Sequence, residues 1–404
     1  MKSILTKRSL AVRILFLVTF LTVLPCLGQS ETANNESCLN RETDDQDKAY
    51  KLHLYAETGL EYTDNVFRLT DSQISRMKAK DYEDVVSRRY KDMDSVSDYI
   101  VEPEIGLKFG CDNPLGGKFG LKSWLKYNYY TQNEEKSFPE GGIKLKNTIG
   151  EKGVLILGGK FLSGFFKKNY LSDVDDADDD GNIPREERIY SSATYDEYEG
   201  IIAYEYEIVK AKSNTISGFD IYPFAGYRSR IYNSTFDNRD QDIGLLGLGI
   251  RLEFISRINL NMIYQYENVA SPGYHELVLY NEYVSGTDVN GDGVIKKNAP
   301  LITSVDRSSN RHTLEFNSAL KLTKRFTLSL GYKNRWTSYT SDNPLDIDHY
   351  ENDAHRQEIK SGISYDFSKT WSAKFEYNRT DDHDNEDGDY SQNNYLFTIR
   401  YNFI

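Results

Sequence analysis

The chain has 404 residues, a net charge of −13 and a hydrophobic fraction of only 39%, yet it contains 31 Tyr and 19 Phe. Soluble globular domains are usually ~45–50% apolar, and disordered chains are depleted in aromatic residues, so the composition is typical of neither class. A membrane barrel with a polar lumen and aromatic girdles would account for both properties. The acidic balance argues against nucleic acid as a partner.

Residues 1–28 have the pattern of a secretory signal peptide. Four basic residues precede the apolar stretch 14–24, and a small-residue stop at 26–28 follows it. The stretch is shorter than the roughly 20 residues of a transmembrane helix, and no later stretch approaches that length. We therefore predict export and cleavage near Gln29. Lipidation of Cys26 is an alternative that the residues just before it fit poorly.

The first strand is predicted to begin at Lys51, after a polar, aperiodic stretch at 29–50 that we interpret as a flexible periplasmic N-terminal segment. One face of this strand carries Leu52, Leu54, Ala56, Thr58, Leu60 and Tyr62. A period of two specifies one apolar and one polar face. The same alternation recurs near the C-terminus at Trp371, Ala373, Phe375 and Tyr377. Predicted strands of about 10 to 16 residues exceed the usual soluble strand and suit a tilted membrane strand.

The predicted connections alternate between short and long. Short turns fall at 111–118, 150–153, 211–217, 256–257, 324–325 and 368–370. Longer, acidic loops fall at 69–98, 132–140, 172–194, 233–241, 272–310, 341–354 and 381–393. These connections separate about 14 strands, an even number that puts both termini in the periplasm.

The fold class predicted for residues 51–404 is all-β, a single antiparallel transmembrane β-barrel with long extracellular loops and short periplasmic turns. A soluble two-sheet sandwich would also show alternating strands. It does not explain the alternation of turn lengths, the strand length and the signal peptide together. The barrel predicts an outer-membrane location, with outer-membrane lipid around the wall.

The last strand carries alternate aromatic or apolar residues on one face: Tyr395, Phe397, Ile399, Tyr401 and Phe403. This pattern resembles the C-terminal assembly signal of outer-membrane proteins, in which alternate aromatic residues run to a terminal aromatic residue. The resemblance implies insertion by the barrel-assembly machinery. Here the chain departs from the pattern, because Ile404 is last.

The first strand runs into a distinctive octapeptide, Glu61-Tyr62-Thr63-Asp64-Asn65-Val66-Phe67-Arg68. A long loop and the strand 100–109 follow it. This arrangement resembles the opening of the outer-membrane β-barrel porins, a poorly characterised family. The similarity covers the first two strands, and it implies a barrel and a channel.

A complete EF-hand calcium pattern lies in the predicted loop 172–194. Asp176, Asp178, Asp180, Asn182 and Glu187 occupy loop positions 1, 3, 5, 7 and 12, and a Gly stands at position 6. Calcium requires this spacing because several oxygens must converge on one hard cation. No helical pattern flanks the motif, so we predict a structural calcium loop held by strands. The alternative is an acidic, solvated loop.

A second, incomplete copy of the pattern lies in the predicted loop 272–310. It has Asp288, Asn290 and Asp292, but Ala299 stands where Glu is wanted. We predict that Ca²⁺ braces both extracellular loops, by neutralising carboxylates that otherwise repel one another.

The polar strand faces predict a lumen lined by both signs of charge. The predicted basic lining is Lys122, Lys126, Lys144, Lys146, Arg228, Arg230, Arg251, Lys333, Arg335, Arg356, Lys360 and Arg400. The predicted acidic lining is Glu102, Glu104, Glu205, Glu207, Glu253, Glu315, Glu358 and Glu376. Segregated charges would set a transverse field that favours charged or polar solutes. Alternatively, the charges pair across neighbouring strands and partly fill the lumen.

No catalytic constellation is visible among the six His residues, and the nucleophile-elbow and zinc-protease motifs are missing. A Ser and a His from neighbouring strands could still meet, for example His312 with Ser361 or Ser329. We expect no enzyme activity. Cys38 and Cys111 could form a disulfide or remain two thiols, and the sequence does not decide between these states.

The function predicted from the sequence is a porin-like channel for passive diffusion of small polar or charged solutes, with calcium-stabilised extracellular loops. Two alternatives remain open: a non-conducting structural or adhesive barrel, and an accessory barrel for polysaccharide or lipid export. The solute, the state of the pore and the oligomeric state do not follow from the sequence.

Overall fold

The computed structural model describes residues 50–79, 89–91, 93–112, 117–171, 189–209, 216–255, 257–279, 300–344, 346, 349–384 and 389–403. Alternating sequences form strands throughout this part of the chain. In order they are β1 (Tyr50–Thr63), β2 (Asp98–Asp112), β3 (Lys118–Tyr130), β4 (Phe138–Ile149), β5 (Gly153–Leu171), β6 (Tyr190–Val209), β7 (Ile216–Tyr232), β8 (Gln241–Phe254), β9 (Ile258–Ala270), β10 (Tyr274–Leu279), β11 (Pro300–Val305), β12 (Ser309–Lys321), β13 (Phe326–Tyr339), β14 (Asp353–Asp366), β15 (Trp371–Asp384) and β16 (Tyr390–Asn402).

Fourteen of these described strands form one closed antiparallel barrel. Each strand pairs with its neighbours in sequence, except that β9 pairs directly with β12. The barrel closes between the first and last strands, in a register that runs from Tyr55 opposite Asn402 to Thr63 opposite Asn394. Closure pairs the first strand with the last, so the backbone groups of the paired residues are hydrogen-bonded within the wall. The predicted strand number and fold class are therefore confirmed.

The outward face of the barrel is apolar, as the alternation predicts. Aliphatic side chains that a soluble protein would bury are exposed here, including Leu52 (61%), Ile105 (63%), Leu246 (59%) and Leu330 (63%). Such a continuous apolar surface is unfavourable in water, whereas hydrocarbon covers it without cost. The barrel is therefore a transmembrane barrel.

Aromatic rings border this apolar surface at both ends. At one end Tyr62 contacts Tyr99 at 5.1 Å between ring centroids, and Tyr377 contacts Tyr395 at 5.2 Å. At the other end Trp371 and Tyr401 are 4.8 Å apart. Two such belts are typical of the interfaces between hydrocarbon and water.

The two ends of the barrel differ in their connections. At one end the strands are joined by short segments such as 150–152 and 367–370, and both ends of the described chain, Tyr50 and Phe403, lie there. The opposite, long-loop end carries helix α1 (Asp71–Ala79) and two 3-10 turns, Glu134–Lys136 and Ser234–Arg239. In the described part of the chain, no helix combines the length and the apolarity needed to cross a membrane.

Several predicted boundaries were wrong. The octapeptide 61–68 is not all strand, because β1 ends at Thr63 and the remaining residues form a turn. Cys111 is a buried residue of β2, not part of a turn, and Cys38 lies outside the described residues. The predicted loop 272–310 contains a hairpin, in which β10 pairs with β11 apart from the barrel wall.

Candidate functional site

The inward face of the barrel is polar, and the strand register decides which residues it carries. Every residue predicted to line the lumen lies on the face opposite the exposed apolar residues: Lys122, Lys126, Lys144, Lys146, Arg228, Arg230, Arg251, Lys333, Arg335, Arg356, Lys360, Arg400, Glu102, Glu104, Glu205, Glu207, Glu253, Glu315, Glu358 and Glu376. Residues on one face alternate strictly in a regular strand, so their positions follow from the period of two.

On the β6–β8 side of the lumen, cations and carboxylates are paired. Arg228 and Glu199 approach to 2.6 Å, Arg230 and Glu197 to 2.6 Å, and Arg251 and Glu205 to 3.0 Å. We call this side the paired wall. Here the alternative that charges pair across neighbouring strands describes the structure.

Glu267 of β9 is an almost completely buried carboxylate of the lumen, with 1% of its surface exposed. Its oxygens lie 3.5 Å from Arg228 and 3.7 Å from Arg311, and Gln265 donates a hydrogen bond to it at 2.6 Å. One carboxylate therefore serves arginines from β7 and β12. Glu267 links Arg228 of the paired wall to Arg311 of β12.

On the β12–β14 side of the lumen, cations outnumber their partners. Arg335 lies directly opposite Arg356 in the strand register, and Arg311 lies opposite Thr337 on the neighbouring pair. Arg356 contacts Glu358 at 3.2 Å, whereas Arg335 makes no ion pair within 4 Å among the described residues. Like charges directly opposite each other destabilise a sheet. We call Arg311, Arg335 and Arg356 the arginine wall.

The first long loop turns into the barrel mouth. The Asn65 side chain holds this turn, because it donates to the Leu69 carbonyl at 2.8 Å and accepts from the Leu69 amide at 2.9 Å. The turn directs Phe67 and Arg68 into the lumen. Arg68 has a positive φ of 57°, a conformation that costs about 1–3 kcal/mol outside glycine and often marks functional sites. Its Nε donates to Gln392 at 3.3 Å.

Lys136 comes from the short connection between β3 and β4. Asp98 is fully buried and anchors this connection, because it accepts hydrogen bonds from the backbone amides of residues 131–133. The Lys136 ammonium then lies 4.5 Å from the Phe67 ring centroid and 5.1 Å from that of Phe165. Burial, together with the charges of Lys167 and Arg68, lowers the pKa of Lys136 to about 7.

A row of aromatic side chains faces the lumen from β4 to β7. Successive ring centroids are 5.1 Å apart for Phe138 and Phe165, 5.1 Å for Phe165 and Tyr195, and 5.3 Å for Tyr195 and Tyr232. We call these four residues the aromatic row. The contact distances are those of favourable aromatic pairs.

A β-bulge brings Phe165 into the aromatic row. Between Leu162 and Phe165, strand β5 has one residue more than β6, and the extra residue reverses which face the following side chains occupy. Gly164 takes a φ of 69° there, and the Asp196 carboxylate accepts from both the Ser163 hydroxyl and the Gly164 amide. Simple alternation from Leu162 would have turned Phe165 outward.

These elements enclose a cavity of about 650 Å³ at the long-loop end, which we call the mouth cavity. The first loop and the β3–β4 connection contribute Arg68, Arg89 and Lys136 to its lining. The strands contribute Lys167, Lys168, Arg230, Arg311, Arg335 and Arg356. Against these nine basic residues, the described part of the chain contributes two carboxylates to the lining, Glu61 and Asp382. Since β5–β6 and β13–β14 are opposite sides of the barrel, the cavity spans the lumen.

A second basic group lies at the short-turn end. Lys108, Lys122 and Lys144 are directly opposite one another on β2, β3 and β4, and Lys146 follows two residues along β4. The Lys122 ammonium lies 5.9 Å from the Tyr55 ring centroid. These four lysines form one basic group on the inward face, whereas Lys126 is paired with Glu102 and Glu140.

The described residues contain no group of three or more His, Cys, Asp or Glu that could hold a metal ion. Both calcium patterns, at 176–187 and at 288–299, lie outside the described residues. The calcium sites of Asp176, Asp178, Asp180, Asn182, Glu187, Asp288, Asn290 and Asp292 therefore stay predictions.

The Ser–His pairs suggested by the sequence do not form. His312 faces outward, where its Nδ1 lies 2.8 Å from the Tyr264 hydroxyl, whereas Ser329 occupies the inward face. Ser361 lies six residues along β14 from the level of His312, about 20 Å away.

A buried Ser–Asp–His group does occur in the loop after β13. The Ser341 hydroxyl donates to Asp346 at 2.9 Å, and His349 Nδ1 lies 2.6 Å from the same carboxylate. The Asp346 carboxylate also accepts the Asp306 amide at 2.8 Å. Since serine and histidine both bind the aspartate, the histidine is not placed to activate the serine. The group braces the loop.

Sequence reasoning missed Arg68, Lys136, Arg311, Phe165 and Tyr195 as lumen residues. Arg311 and Tyr195 are each an even number of residues from a predicted lumen residue on the same strand, Glu315 and Glu205 respectively. The period of two could therefore have revealed them. The other three depend on loop paths and on the β5 bulge. These features have no signal of period two.

No protein-family profile matches the chain, and no curated protein matches it. Solved structures with a similar fold include the outer-membrane channel DcaP of Acinetobacter baumannii, at 9% identity over 88% of this chain and 97% of that chain, with a TM-score of 0.44. The anion-selective porin from Comamonas acidovorans matches at 12% identity over 88% and 99%, with a TM-score of 0.35. The Pseudomonas putida toluene transporter TodX matches at 11% identity over 86% and 89%, with a TM-score of 0.38.

Proposed function

We propose that the protein is an outer-membrane channel for passive diffusion of small polar or charged solutes. The observation that carries this proposal is the mouth cavity, which spans the lumen of a closed barrel and is bounded by charged side chains. Charged, solvated walls are what a solute pathway requires.

The surrounding wall supports the same proposal. An apolar exterior with an aromatic belt at each end favours insertion as a transmembrane element. The polar inward face can contact water and solutes, and the wall separates them from the hydrocarbon. With both ends of the described chain at the short-turn end, we propose that this end faces the periplasm and the long loops face outward. Insertion by the barrel-assembly machinery remains part of the proposal.

Planar-bilayer recording of the purified, refolded protein tests the channel. We expect discrete conductance steps in KCl. A heat-denatured sample of the same preparation is the control for detergent artefacts. Protein that is folded by its gel mobility but silent across the voltage range would refute the channel and would support the non-conducting structural barrel.

We further propose that Ca²⁺ stabilises the loop containing residues 176–187. Its support is the full register of oxygen ligands, Gly and distal Glu in the sequence. Weak binding of about 10⁻⁴ to 10⁻³ M would suffice outside a cell. Limited proteolysis with Ca²⁺ or a chelator, in the natural chain and in a Glu187→Gln variant, measures the effect. Equal cleavage of the natural chain in both conditions contradicts the proposal.

A further inference from the structure

We propose that the mouth cavity is a binding site for organic anions that carry at least two negative charges beside a ring, such as aromatic dicarboxylates or acidic sugar phosphates. This inference names the solute class of the proposed channel and so rests on the proposed function. It depends on two features that meet in the cavity, the arginine wall and the aromatic row.

Basic side chains outnumber carboxylates in the described lining of the mouth cavity. Among the described residues, nine basic side chains line it against two carboxylates. Three of the nine, Arg230, Arg311 and Arg356, are also paired with Glu197, Glu267 and Glu358. Arg68, Lys136, Lys167 and Arg335 make no ion pair within 4 Å with any described carboxylate. An enclosed set of unpaired cations is unfavourable until an anion enters.

The arginines of the arginine wall lie close together on neighbouring strands. Arg335 and Arg356 are direct cross-strand partners, so their Cβ atoms are about 4.5–5.5 Å apart. Arg311 reaches the same cavity from the strand beyond Arg335. Planar guanidinium groups at this spacing match the oxygens of a carboxylate or phosphate, which arginine binds bidentately. The first negative charge of the solute belongs here.

Aromatic rings also line the mouth cavity. Phe165 and Tyr195 line the cavity from the side opposite the arginine wall, and Phe67 enters from the first loop. Lys136 and Arg230 lie over the Phe165 and Tyr195 rings at 5.1 and 5.6 Å from the centroids, and the remaining ring surface can contact the ring of a solute whose charged groups reach across to the arginines. A small inorganic anion would leave this surface unused.

Lys136 is 6% exposed and lies between two rings. Its neighbours in the cavity are Lys167 and Arg68, which oppose its protonation. An entering dianion supplies the missing counter-charge and favours the protonated ammonium. Lys136 is therefore placed to bind the second negative charge of the solute.

The test compares two blockers of equal charge, terephthalate with a ring and succinate without one, on the chloride current through single channels. We expect terephthalate to block at a concentration about tenfold lower than succinate. An Arg311→Gln/Arg335→Gln variant should weaken terephthalate block by about tenfold or more, because it removes two guanidinium groups that make charge-assisted hydrogen bonds to the solute. A Phe165→Leu variant should abolish the preference for terephthalate and keep succinate block.

The matched control is Arg379→Gln, which removes the same charge from the outward face of β15, where Arg379 pairs with Asp381 at 2.9 Å. Its blocking constants should equal those of the natural protein. Equal block by terephthalate and succinate in the natural protein overturns the proposal. So does a terephthalate block that the double arginine variant leaves unchanged.

Failure of the channel and failure of the site are distinguishable. Calorimetric titration of the folded protein in detergent with terephthalate measures binding without conduction. Binding by a silent protein would keep the anion site and reject the channel. Conduction without binding or block would keep the channel and reject the site.

Discussion

The paired wall and the arginine wall are built from the same kind of strand, yet they treat charge in opposite ways. On the paired wall Arg230 contacts Glu197 at 2.6 Å, and on the arginine wall Arg335 lies opposite Arg356. The paired wall holds its cations in fixed positions and neutralises them. The arginine wall leaves part of its positive charge facing the mouth cavity.

The paired wall should therefore contribute mainly to stability, and the arginine wall mainly to ion selectivity. An ion pair in a partly buried wall is costly to break, because removal of one partner leaves the other without compensation. An unpaired cation contributes little to folding but attracts counter-ions. Substitutions in the paired wall should therefore change mainly stability, and those in the arginine wall mainly ion preference.

Glu267→Gln should have the largest effect, because Glu267 is almost completely buried and contacts Arg228 and Arg311. Leaving buried guanidinium groups without this carboxylate should lower the free energy of unfolding by about 3–5 kcal/mol. Guanidinium unfolding in detergent measures the loss. A change below 1 kcal/mol, with the exposed Glu376→Gln as the reference, would mean that Glu267 does not hold the two walls together.

Arg230→Gln and Arg335→Gln sharpen the comparison directly. Arg230→Gln should destabilise the barrel by about 1–3 kcal/mol, because Glu197 loses its closer partner at 2.6 Å and keeps only Arg228 at 3.8 Å. Arg335→Gln should change stability by less than about 1 kcal/mol, or increase it, because it relieves repulsion from Arg356. Anion preference, measured by the reversal potential, should change more in Arg335→Gln than in Arg230→Gln. Equal effects of both variants on both quantities would remove the distinction between the walls.

Lowering the pH should increase anion preference around pH 7, because the pKa of Lys136 is lowered to about 7 by burial and by Lys167 and Arg68. Below this pH the ammonium adds a charge to the cavity, and above it the charge is lost. Lys136→Arg should keep the high preference at pH 8, whereas Lys136→Met should keep the low preference at pH 6. Glu61 and Lys167 also face the cavity. If both variants keep the pH response of the natural protein, the change in anion preference belongs to Glu61 or Lys167 and not to Lys136.

The same pKa also predicts a pH dependence of the free energy of unfolding. A lysine whose pKa is lowered in the folded state reduces stability fully below that pKa, and the penalty declines as the pH rises from about 7 towards the unfolded value. The free energy of unfolding of the natural protein should therefore rise between pH 7 and 10 relative to Lys136→Met. Parallel pH curves for the two proteins would contradict this sign.

The exposed pair Lys374–Glu376 should show the smallest effect. Its atoms are 2.7 Å apart, but both side chains are well solvated. Glu376→Gln should cost about 0–1 kcal/mol, and high salt should reduce the difference. Unfolding at low and high salt checks this, and a loss as large as that of Glu267→Gln would show that burial does not separate the two sites.

The sequence was sufficient for the fold because period-two alternation fixes two faces and the turn lengths separate the strands. Leu52 and Leu330 point outward, and Arg335 points inward, as their places in the alternation require. The hairpin of β10 and β11 was missed because its short strands lie within a long polar segment. Short segments of this kind lack a periodic signal.

The candidate site was less accessible from sequence, since it depends on events that interrupt periodicity. The bulge at Gly164 reverses the face of Phe165, and the turn around Asn65 carries Arg68 into the lumen. Ion-pair partners depend on register to one residue, and strand adjacency alone does not assign Glu199 to Arg228 or Glu205 to Arg251. Charge pairing was therefore predictable in kind but not in detail.

The arginine wall, in which Arg335 has no ion-pair partner among the described residues, should make the lumen prefer anions. The reversal potential of single channels in a tenfold KCl gradient measures this preference most directly. The natural protein should give the sign of chloride permeation, and an Arg311→Gln/Arg335→Gln/Arg356→Gln variant should move the potential towards zero. A potassium-selective natural channel, or a chloride preference that the triple variant leaves unchanged, would contradict the claim.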